Sequence, residues 1–313
     1  MFVAGFINSV LSLVTFQNRE CRQVGCGMYL FASSVSSCLA ISMFVIKFWF
    51  VVLTQINVST SLLVLGGGCV SIEPILKLFL YLDGWLNACV AVERAMHVSK
   101  GVNFDKKKSK HFARRIIIIL PLCIIGTLMH EFMYRRLFVY HPETDRIDQD
   151  NILENNQYVD EIDRGTRQQY VSCVSLYSSA VQIYDTTVLF FHLVAPFLAN
   201  LFSALFVIVG AARQRSVART DQSFREHIRE QFREHKQLII SPVILLVLST
   251  PRLIISLLPG CVKTSEKLWL YLSAYFISFI PSMLIFLIFV APSEIYMKAF
   301  KQSFRSGRGL HRR

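Results

Sequence analysis

Charged side chains interrupt an otherwise apolar stretch in the first third of the chain. Glu73 and Lys77 are four residues apart, so on a helix they share one face. Asp83 follows them, and the acidic–basic pair Glu93-Arg94 stands near the end of the stretch. Charges in hydrocarbon are energetically costly and usually mark a pocket, an ion path or an ion pair. Glu73 and Lys77 therefore have two open interpretations: a self-neutralising pair that eases membrane insertion, or part of a functional site.

Seven apolar segments must position these charges. A helix needs roughly 20 apolar residues to cross about 30 Å of hydrocarbon, and 53% of this chain is hydrophobic against 17% charged. The runs are continuous rather than alternating, which favours helices over a β-barrel. The sequence thus predicts an all-α membrane protein, a seven-transmembrane helix bundle. Numbered one to seven in chain order, the segments are 1–16, 28–53, 67–98, 112–134, 186–212, 237–259 and 268–290.

The gaps between these segments alternate in their basic content. Gap 135–185 carries five basic and nine acidic residues. By contrast, 22 of the 33 Lys and Arg residues lie in the four stretches 18–26, 99–115, 213–236 and 297–313. Because Lys and Arg are retained on the cytoplasmic side, the alternation predicts a cytoplasmic C-terminus. A sequon that begins at Asn57 then lies outside the cell, which makes Asn57 a glycosylation candidate.

The first segment admits two interpretations. It is apolar and short, as in a signal peptide, but no basic residue precedes it and no small-residue cleavage site follows Phe16. We expect instead a first transmembrane helix that is truncated at its outer end, in a chain that lacks an extracellular tail.

Composition and motifs narrow the class of protein. The net charge of +12 lies at the ends of apolar segments, where anionic membrane lipid or a cytoplasmic partner explains it better than nucleic acid does. The chain contains no GxSxG, P-loop or HExxH motif and no metal-binding spacing of Cys and His. We therefore expect no enzyme, no metal and no other cofactor. The inverted repeats common in transporters are not visible either.

Two of the eight cysteines fall on the predicted outer side. Cys69 lies at the outer end of segment three, and Cys173 lies in the long outer gap. Both thiols face an oxidising compartment, so a disulfide is one interpretation and two free thiols are the other.

These features together resemble the rhodopsin-like (class A) G-protein-coupled receptors. The similarity rests on seven segments, on a Cys 25 residues before an acidic–Arg pair, and on a second Cys in a long second outer loop. In that family the acidic–Arg motif ends helix three, and the two cysteines bridge helix three to that loop. The resemblance therefore implies a Cys69–Cys173 disulfide. It also implies that Glu93 restrains Arg94 at rest and that Arg94 meets the G protein on activation.

Weaker motifs extend the resemblance along the chain. Gly5-Phe6-Ile7-Asn8 is similar to the family's helix-one pattern, and Pro196 and Pro251 match its helix-bending prolines. Pro292 with Tyr296 resembles the motif that ends helix seven. The stretches 134–137 and 182–184 resemble a divergent invertebrate branch of orphan receptors.

Several residues depart from the family pattern. Ala95 replaces the aromatic residue after Arg94, Ser249 stands in place of the helix-six tryptophan, and Ala291 replaces the Asn before Pro292. Segment two carries no carboxylate. These departures place the family's usual activation switch in doubt, although they leave the fold unaffected.

The resemblance also implies a ligand pocket beneath the outer loop. Glu73 and Lys77 lie at the depth of helix three that lines the family's pocket. The other candidates for its lining are Phe190, Phe191, His192, Arg252, Tyr271 and Tyr275. His192 taken alone is more often a hydrogen-bonded core histidine. The acidity of the loop favours a basic ligand such as a peptide or an amine.

Asp83 suggests a displaced ion site. The family usually places a serine at this depth of helix three, facing an Asp on helix two, whereas this chain has serines 33, 34, 36 and 37 on segment two. We predict that the sodium-site carboxylate has moved to Asp83. A protonated Asp83 that hydrogen-bonds to those serines is the alternative.

The sequence thus predicts one receptor domain over residues 1–304, which ends in an amphipathic helix at 293–304, and a basic tail at 305–313. We expect a multi-pass plasma-membrane protein whose partners are a heterotrimeric G protein, an extracellular ligand and membrane lipids. The alternative is a multi-pass transporter or a non-coupling chemosensory receptor.

Overall fold

The computed structural model is almost entirely helical. It describes residues 2–18, 21–55, 62–140, 170–175, 177–218, 247, 277, 286–290 and 296–303. The main elements are α1 (Phe2–Phe16), α2 (Gly25–Gln55), α3 (Leu62–Lys100), α4 (Lys106–Tyr134), β1 (Arg135–Tyr140), β2 (Tyr170–Ser175) and α5 (Ser179–Ala218). Short 3-10 turns occupy Cys21–Gln23 and Gly101–Asn103, a π-helical turn occupies Phe286–Val290, and residues 296–303 are helical.

Four of these helices are long and apolar enough to cross a membrane. They span Gly25–Val52, Val64–Lys100, Lys106–Tyr134 and Ser179–Gly210, and Val3–Phe16 is a shorter apolar helix. The prediction of long apolar helices that could span a membrane is thus confirmed for segments two to five. Segments six and seven lie largely outside the described residues, so the seven-helix count stays a prediction.

The surface of α4 is apolar where a water-soluble protein would be polar. Ile118, Leu122 and Met133 are each more than 60% exposed. Contiguous exposed apolar surface is unfavourable in water and natural in hydrocarbon. The exposed face of α4 therefore fits contact with lipid.

The helices extend beyond the predicted apolar segments. Segment three was expected at 67–98, but α3 is already helical from Leu62. A Cβ atom at Gly68 would lie 2.4 Å from the Phe50 ring, so this glycine allows α2 and α3 to approach closely. Hydropathy marks the stretch that crosses hydrocarbon, and the polar turns at each end continue the same helix.

Helix α3 is the centre of the described bundle. It packs against α2, α4, α5 and β1. On α2, small residues line the packed face and are essentially inaccessible: Ser33, Ser34, Ser37 and Ala40. Small side chains at a helix interface let two backbones approach and gain van der Waals contact, which drives association in lipid.

A two-stranded antiparallel sheet follows α4, and the sequence did not predict it. Strand β1 pairs with β2 so that Arg135 lies opposite Ser175 and Leu137 lies opposite Cys173. Both strands are rich in β-branched and aromatic residues, which favour extended backbone. Because β1 contacts α3 and β2 contacts α2, the sheet marks one end of the bundle, called here the sheet end. The opposite end, where Gly101–Asn103 joins α3 to α4, is called the basic end.

Two hydrophobic clusters fill the bundle between these ends. One contains Phe16, Tyr29, Leu30, Leu86, Val90, Ala113 and Val290, and it joins α1 to the 286–290 turn. The other contains Tyr81, Ile124, Leu128 and Leu189, and it joins α3, α4 and α5. The polar groups described next lie beside these clusters and along α3.

Candidate functional site

An ionic cluster, called here the sheet-end cluster, joins α3, α4 and α5 at the sheet end. The Lys77 ammonium group is paired with the carboxylate of Glu131, and its Nζ lies 3.6 Å from Oδ1 of Asp185. Arg135 donates from Nη2 to Oε2 of Glu131 at 3.2 Å. The side chain of Glu131 is fully buried. A buried carboxylate is stable only when it is paired and hydrogen-bonded, and here two cations supply that pairing.

A second ion pair at this end joins α2 to α3. Glu73 is paired with Lys47, the one charged residue of the predicted segment 28–53. One of the two sequence interpretations paired Glu73 with Lys77. In the structure each of them forms an ion pair with an opposite charge on a neighbouring helix. Helix packing brings these partners within reach, and spacing along α3 alone does not reveal them.

His130 extends the ionic cluster. Its Nδ1 lies 3.0 Å from the Thr127 carbonyl oxygen, and its Nε2 lies 3.0 Å from Oδ1 of Asp185. Both ring nitrogens thus lie within hydrogen-bonding distance of an oxygen atom. Ligand atoms of His130, Glu131 and Asp185 lie within 4.8 Å of one another, which is close enough to hold a metal ion. The Lys77 ammonium group already supplies positive charge to both carboxylates.

Sequence reasoning missed the acidic and basic partners of Glu73 and Lys77. Glu131 lies near the end of segment four, and Lys47 is the one charged residue of segment two; neither was predicted as a site residue. Asp185 was assigned to the outer gap. The structure places Asp185 inside α5, which begins at Ser179. The sequence feature that could have revealed these residues is a single charge within or beside an apolar segment, because each such charge needs a partner on another helix.

His192 is a structural link among three helices. Trp85 of α3 donates from Nε1 to His192 Nδ1 at 2.9 Å, and Thr127 Oγ1 of α4 lies 2.9 Å from His192 Nε2. The ring also stacks on Tyr81, with centroids 4.6 Å apart. The neighbouring Phe191 is half-exposed and contacts Trp85 at 5.6 Å between ring centroids. His192 thus has the contacts of a hydrogen-bonded core histidine.

Asp83 lies midway along α3 and meets segment two. The Ser33 hydroxyl donates to the Asp83 carboxylate, whose side chain is buried. Ser36 donates to the carbonyl oxygen of Phe79 at 3.1 Å. The structure therefore brings Asp83 together with one of the predicted serines. This contact is compatible with both interpretations of Asp83, a sodium-binding carboxylate and a protonated carboxyl group.

Glu93 lies at the basic end and contacts α4. The Ser109 hydroxyl donates to Glu93, and the Gly25 amide donates to Ser109 Oγ at 3.2 Å. A Cβ atom on Gly25 would lie 2.7 Å from Glu93 Oε2. Within the described part of the chain no ion pair joins Glu93 to Arg94. Adjacent residues on a helix point about 100° apart and meet different neighbours. The charge of Arg94 still acts on Glu93, and the restraint of Arg94 by Glu93 stays a prediction.

Arg94 turns instead toward Tyr296. Its guanidinium group interacts electrostatically with the side chains of Cys26 and Tyr296. Cys26 Sγ lies 3.6 Å from Tyr296 Oη, and the Tyr296 ring packs edge-on against Phe16 with centroids 5.3 Å apart. This group, called here the Arg94 junction, ties α1, α2 and α3 to the 296–303 helix.

The remaining predicted site residues stay predictions. Outside the described residues lie Asn57, Pro251, Arg252, Tyr271, Tyr275 and Pro292. Cys173 is described only as a position in β2, opposite Leu137. Cys69 is buried in α3 and is not among the free cysteines of the described residues, which are Cys21, Cys26, Cys38, Cys89 and Cys123. The Cys69–Cys173 pairing is compatible with this and is still to be tested.

Helix α3 therefore carries three polar centres along its length: the sheet-end cluster, Asp83 and the Arg94 junction. Each centre connects α3 to at least one other element. No protein-family model matches this chain, and no curated protein matches it.

Proposed function

We propose that this chain is a seven-helix receptor of the rhodopsin-like class. It lies in the plasma membrane with its C-terminus in the cytoplasm, binds an extracellular ligand, and activates a heterotrimeric G protein through the cytoplasmic ends of helices three, five and six. The observation that carries the proposal is the electrostatic interaction of Arg94 with Tyr296, which links a basic residue near the end of α3 to the 296–303 helix.

The arrangement of polar groups along α3 supports signal transfer. A ligand at the sheet end changes the packing of α3 against α4 and α5, because Lys77 is bonded to both helices. The same helix carries Arg94 at its opposite end. Small shifts of a packed helix repack both of its ends, since close-packed interfaces switch between discrete arrangements. Release of Arg94 from Tyr296 would then present the guanidinium group to the G protein.

The sheet-end cluster also suggests the chemistry of the ligand. Glu131 and Asp185 are already bound by cationic groups of the protein, Lys77 and Arg135. A cationic ligand would compete with those groups for the carboxylates, and a receptor shifts when its ligand favours one state over the other. A peptide with a basic residue or an amine fits this requirement.

The proposal is tested by recruitment of G-protein alpha subunits in cells. Wild type, Arg94→Ala and Tyr296→Phe are compared at equal surface expression, with pooled amines and peptides. Arg94→Ala should abolish recruitment, and Tyr296→Phe should raise recruitment without ligand because it removes the hydroxyl group that interacts with Arg94. Arg114→Ala is the matched control, because Arg114 is an exposed arginine of α4. Recruitment that survives Arg94→Ala would overturn the proposal.

A transporter is the second candidate, and one observation favours it. Within predicted membrane-spanning helices, Lys47, Glu73, Lys77, Glu131 and Asp185 form buried or half-buried ion pairs, and such charges line many ion and proton paths. Proteoliposomes that contain the chain would then show substrate-driven proton flux that Lys77→Met removes. A chain that shows neither flux nor G-protein recruitment, yet binds ligand, would be a non-coupling chemosensory receptor.

A further inference from the structure

Two cavities adjoin one another at the basic end of the bundle. The first, of about 690 Å³, lies between the end of α3 and the first turns of α4. Its lining includes the cations Lys100, Lys107, Lys108 and Arg115 and a single carboxylate, Asp105. This basic cavity has the size of small-molecule sites, which are typically about 300–1,000 Å³. An excess of cations around a cavity of this size selects an anionic occupant.

The one carboxylate of the basic cavity is already engaged. Asp105 caps α4, and its Oδ1 accepts hydrogen bonds from the backbone amides of Lys107 at 2.9 Å and Lys108 at 3.1 Å. These bonds, that of Lys108 foremost, lower the pKa of the Asp105 carboxyl. Among the described residues, no ion pair involves Lys100, Lys107 or Arg115. The cations of the basic cavity therefore have capacity for an external anion, which the positive end of the α4 dipole also favours.

The second cavity is smaller and apolar. It measures about 140 Å³ and lies among α2, α3, α4 and α5, with a lining that includes Ala88, Val92 and Ile116. It shares Met96, Ser109 and Phe112 with the basic cavity. The two cavities thus share part of their walls, with an apolar compartment on one side and a basic compartment on the other.

The apolar cavity and the basic cavity follow one another along the axis of α3. Val92, Met96 and Lys100 are spaced one turn apart on α3, and they run from the apolar cavity to the basic one. The apolar side is open to hydrocarbon, since Val92, Met96 and Phe112 are all exposed. An occupant that satisfies both compartments must be anionic at one end and apolar at the other.

We propose that this pair of cavities is a binding site for an anionic phospholipid of the cytoplasmic leaflet. The phosphate-bearing headgroup occupies the basic cavity, and the first part of one acyl chain lies in the apolar cavity. A headgroup with several phosphates, as in a phosphorylated inositol lipid, matches four cations better than a single charge does. A free phosphate compound is the other source of the same chemistry, but it makes no use of the apolar cavity. The cytoplasmic side of the site rests on the orientation given in the proposed function. The site does not depend on G-protein coupling, and lipid binding is measured on the purified chain alone.

The test uses the purified full chain and two matched variants. In the first variant Lys107, Lys108 and Arg115 of the basic cavity are replaced by Gln. In the second, Lys106, Lys110 and Arg114 of the same helix, which do not line the cavity, are replaced by Gln. Both variants lose three positive charges, so non-specific attraction to an anionic membrane falls equally in both. Equal thermal unfolding temperatures confirm that both variants are folded.

Binding is measured by native mass spectrometry, with phosphatidylinositol bisphosphate, phosphatidylserine or phosphatidylcholine added to the detergent-solubilised chain. We expect the bisphosphate lipid to bind best, and we expect the cavity variant to lose at least about tenfold in affinity, since each cation near an anionic headgroup contributes severalfold. The control variant should retain most of the wild-type affinity. Equal losses in the two variants, or equal binding of phosphatidylcholine, would overturn the proposal.

A second comparison distinguishes the two sources of phosphate. The water-soluble inositol trisphosphate headgroup is added as a competitor of the bisphosphate lipid. We expect it to compete at least tenfold more weakly than a short-chain diacyl form of the lipid, because it leaves the apolar cavity empty. Equal competition would show a site for soluble phosphate compounds and would overturn the lipid assignment.

Discussion

Lys77 of α3 and Glu131 of α4 form an ion pair in which the carboxylate side chain is fully buried. The pair is not isolated, because Glu131 also bonds to Arg135 and Lys77 also lies near Asp185. The two residues therefore differ in what their removal leaves behind. Without Lys77 each carboxylate retains a second partner, whereas without Glu131 two cations lose their shared acceptor.

This asymmetry predicts unequal losses of stability. Breaking a buried ion pair from one side costs about 3–5 kcal/mol, and we expect a loss of that size for Glu131→Gln and a smaller loss for Lys77→Met. Thermal unfolding in detergent measures both, with Lys106→Met as the exposed-lysine control. The interpretation fails if Lys77→Met is as damaging as Glu131→Gln.

Gly25 should not tolerate a side chain. A Cβ atom there would lie 2.7 Å from Glu93 Oε2 and 2.8 Å from Ser109 Oγ, so Gly25→Ala forces the Glu93–Ser109 contact apart. Overpacking of this kind costs about 1–3 kcal/mol, and we expect a lower unfolding temperature. Gly126 is the matched control, because it is helical and a Cβ atom there meets nothing within 4 Å. Gly126→Ala should be neutral or slightly stabilising, and equal behaviour of the two variants would contradict the packing argument.

Asp83 should respond to sodium if it is ionised. Sodium chloride, compared with choline chloride at equal ionic strength, is expected to raise the unfolding temperature of wild type. Asp83→Asn should remove that difference, and Ser33→Ala should weaken it because Ser33 donates to the carboxylate. An identical sodium response in wild type and Asp83→Asn would instead favour a protonated Asp83.

Cys69 and Cys173 should protect one another from labelling. If they are bridged, neither thiol reacts with a maleimide mass tag in the unfolded, non-reduced chain, and Cys69→Ser exposes exactly one further thiol, that of Cys173. Cys123→Ser is the control, because Cys123 is an exposed free cysteine and its loss should remove one tag. No gain of a tag in Cys69→Ser would show that the bridge is not formed.

Some relationships across helices were accessible from the sequence. Asp83 was expected to meet serines of segment two, and the structure joins it to Ser33. The acidic outer gap, in contrast, predicted neither the β1–β2 sheet nor the helical position of Asp185. Short strands depend on cross-strand contacts between distant parts of the chain, which local patterns do not specify.

The sequence by itself determined that segments two to five form helices long and apolar enough to span a membrane, because continuous apolar runs of that length are best accommodated as helices in hydrocarbon. Only the tertiary structure decided which partners the charged side chains meet: Glu73 meets Lys47, Lys77 meets Glu131, and Glu93 accepts from Ser109. These partners depend on the rotation of each helix about its axis and on the depth at which neighbours cross. Hydropathy carries no information about either quantity, since lipid solvates every apolar face of a helix equally well.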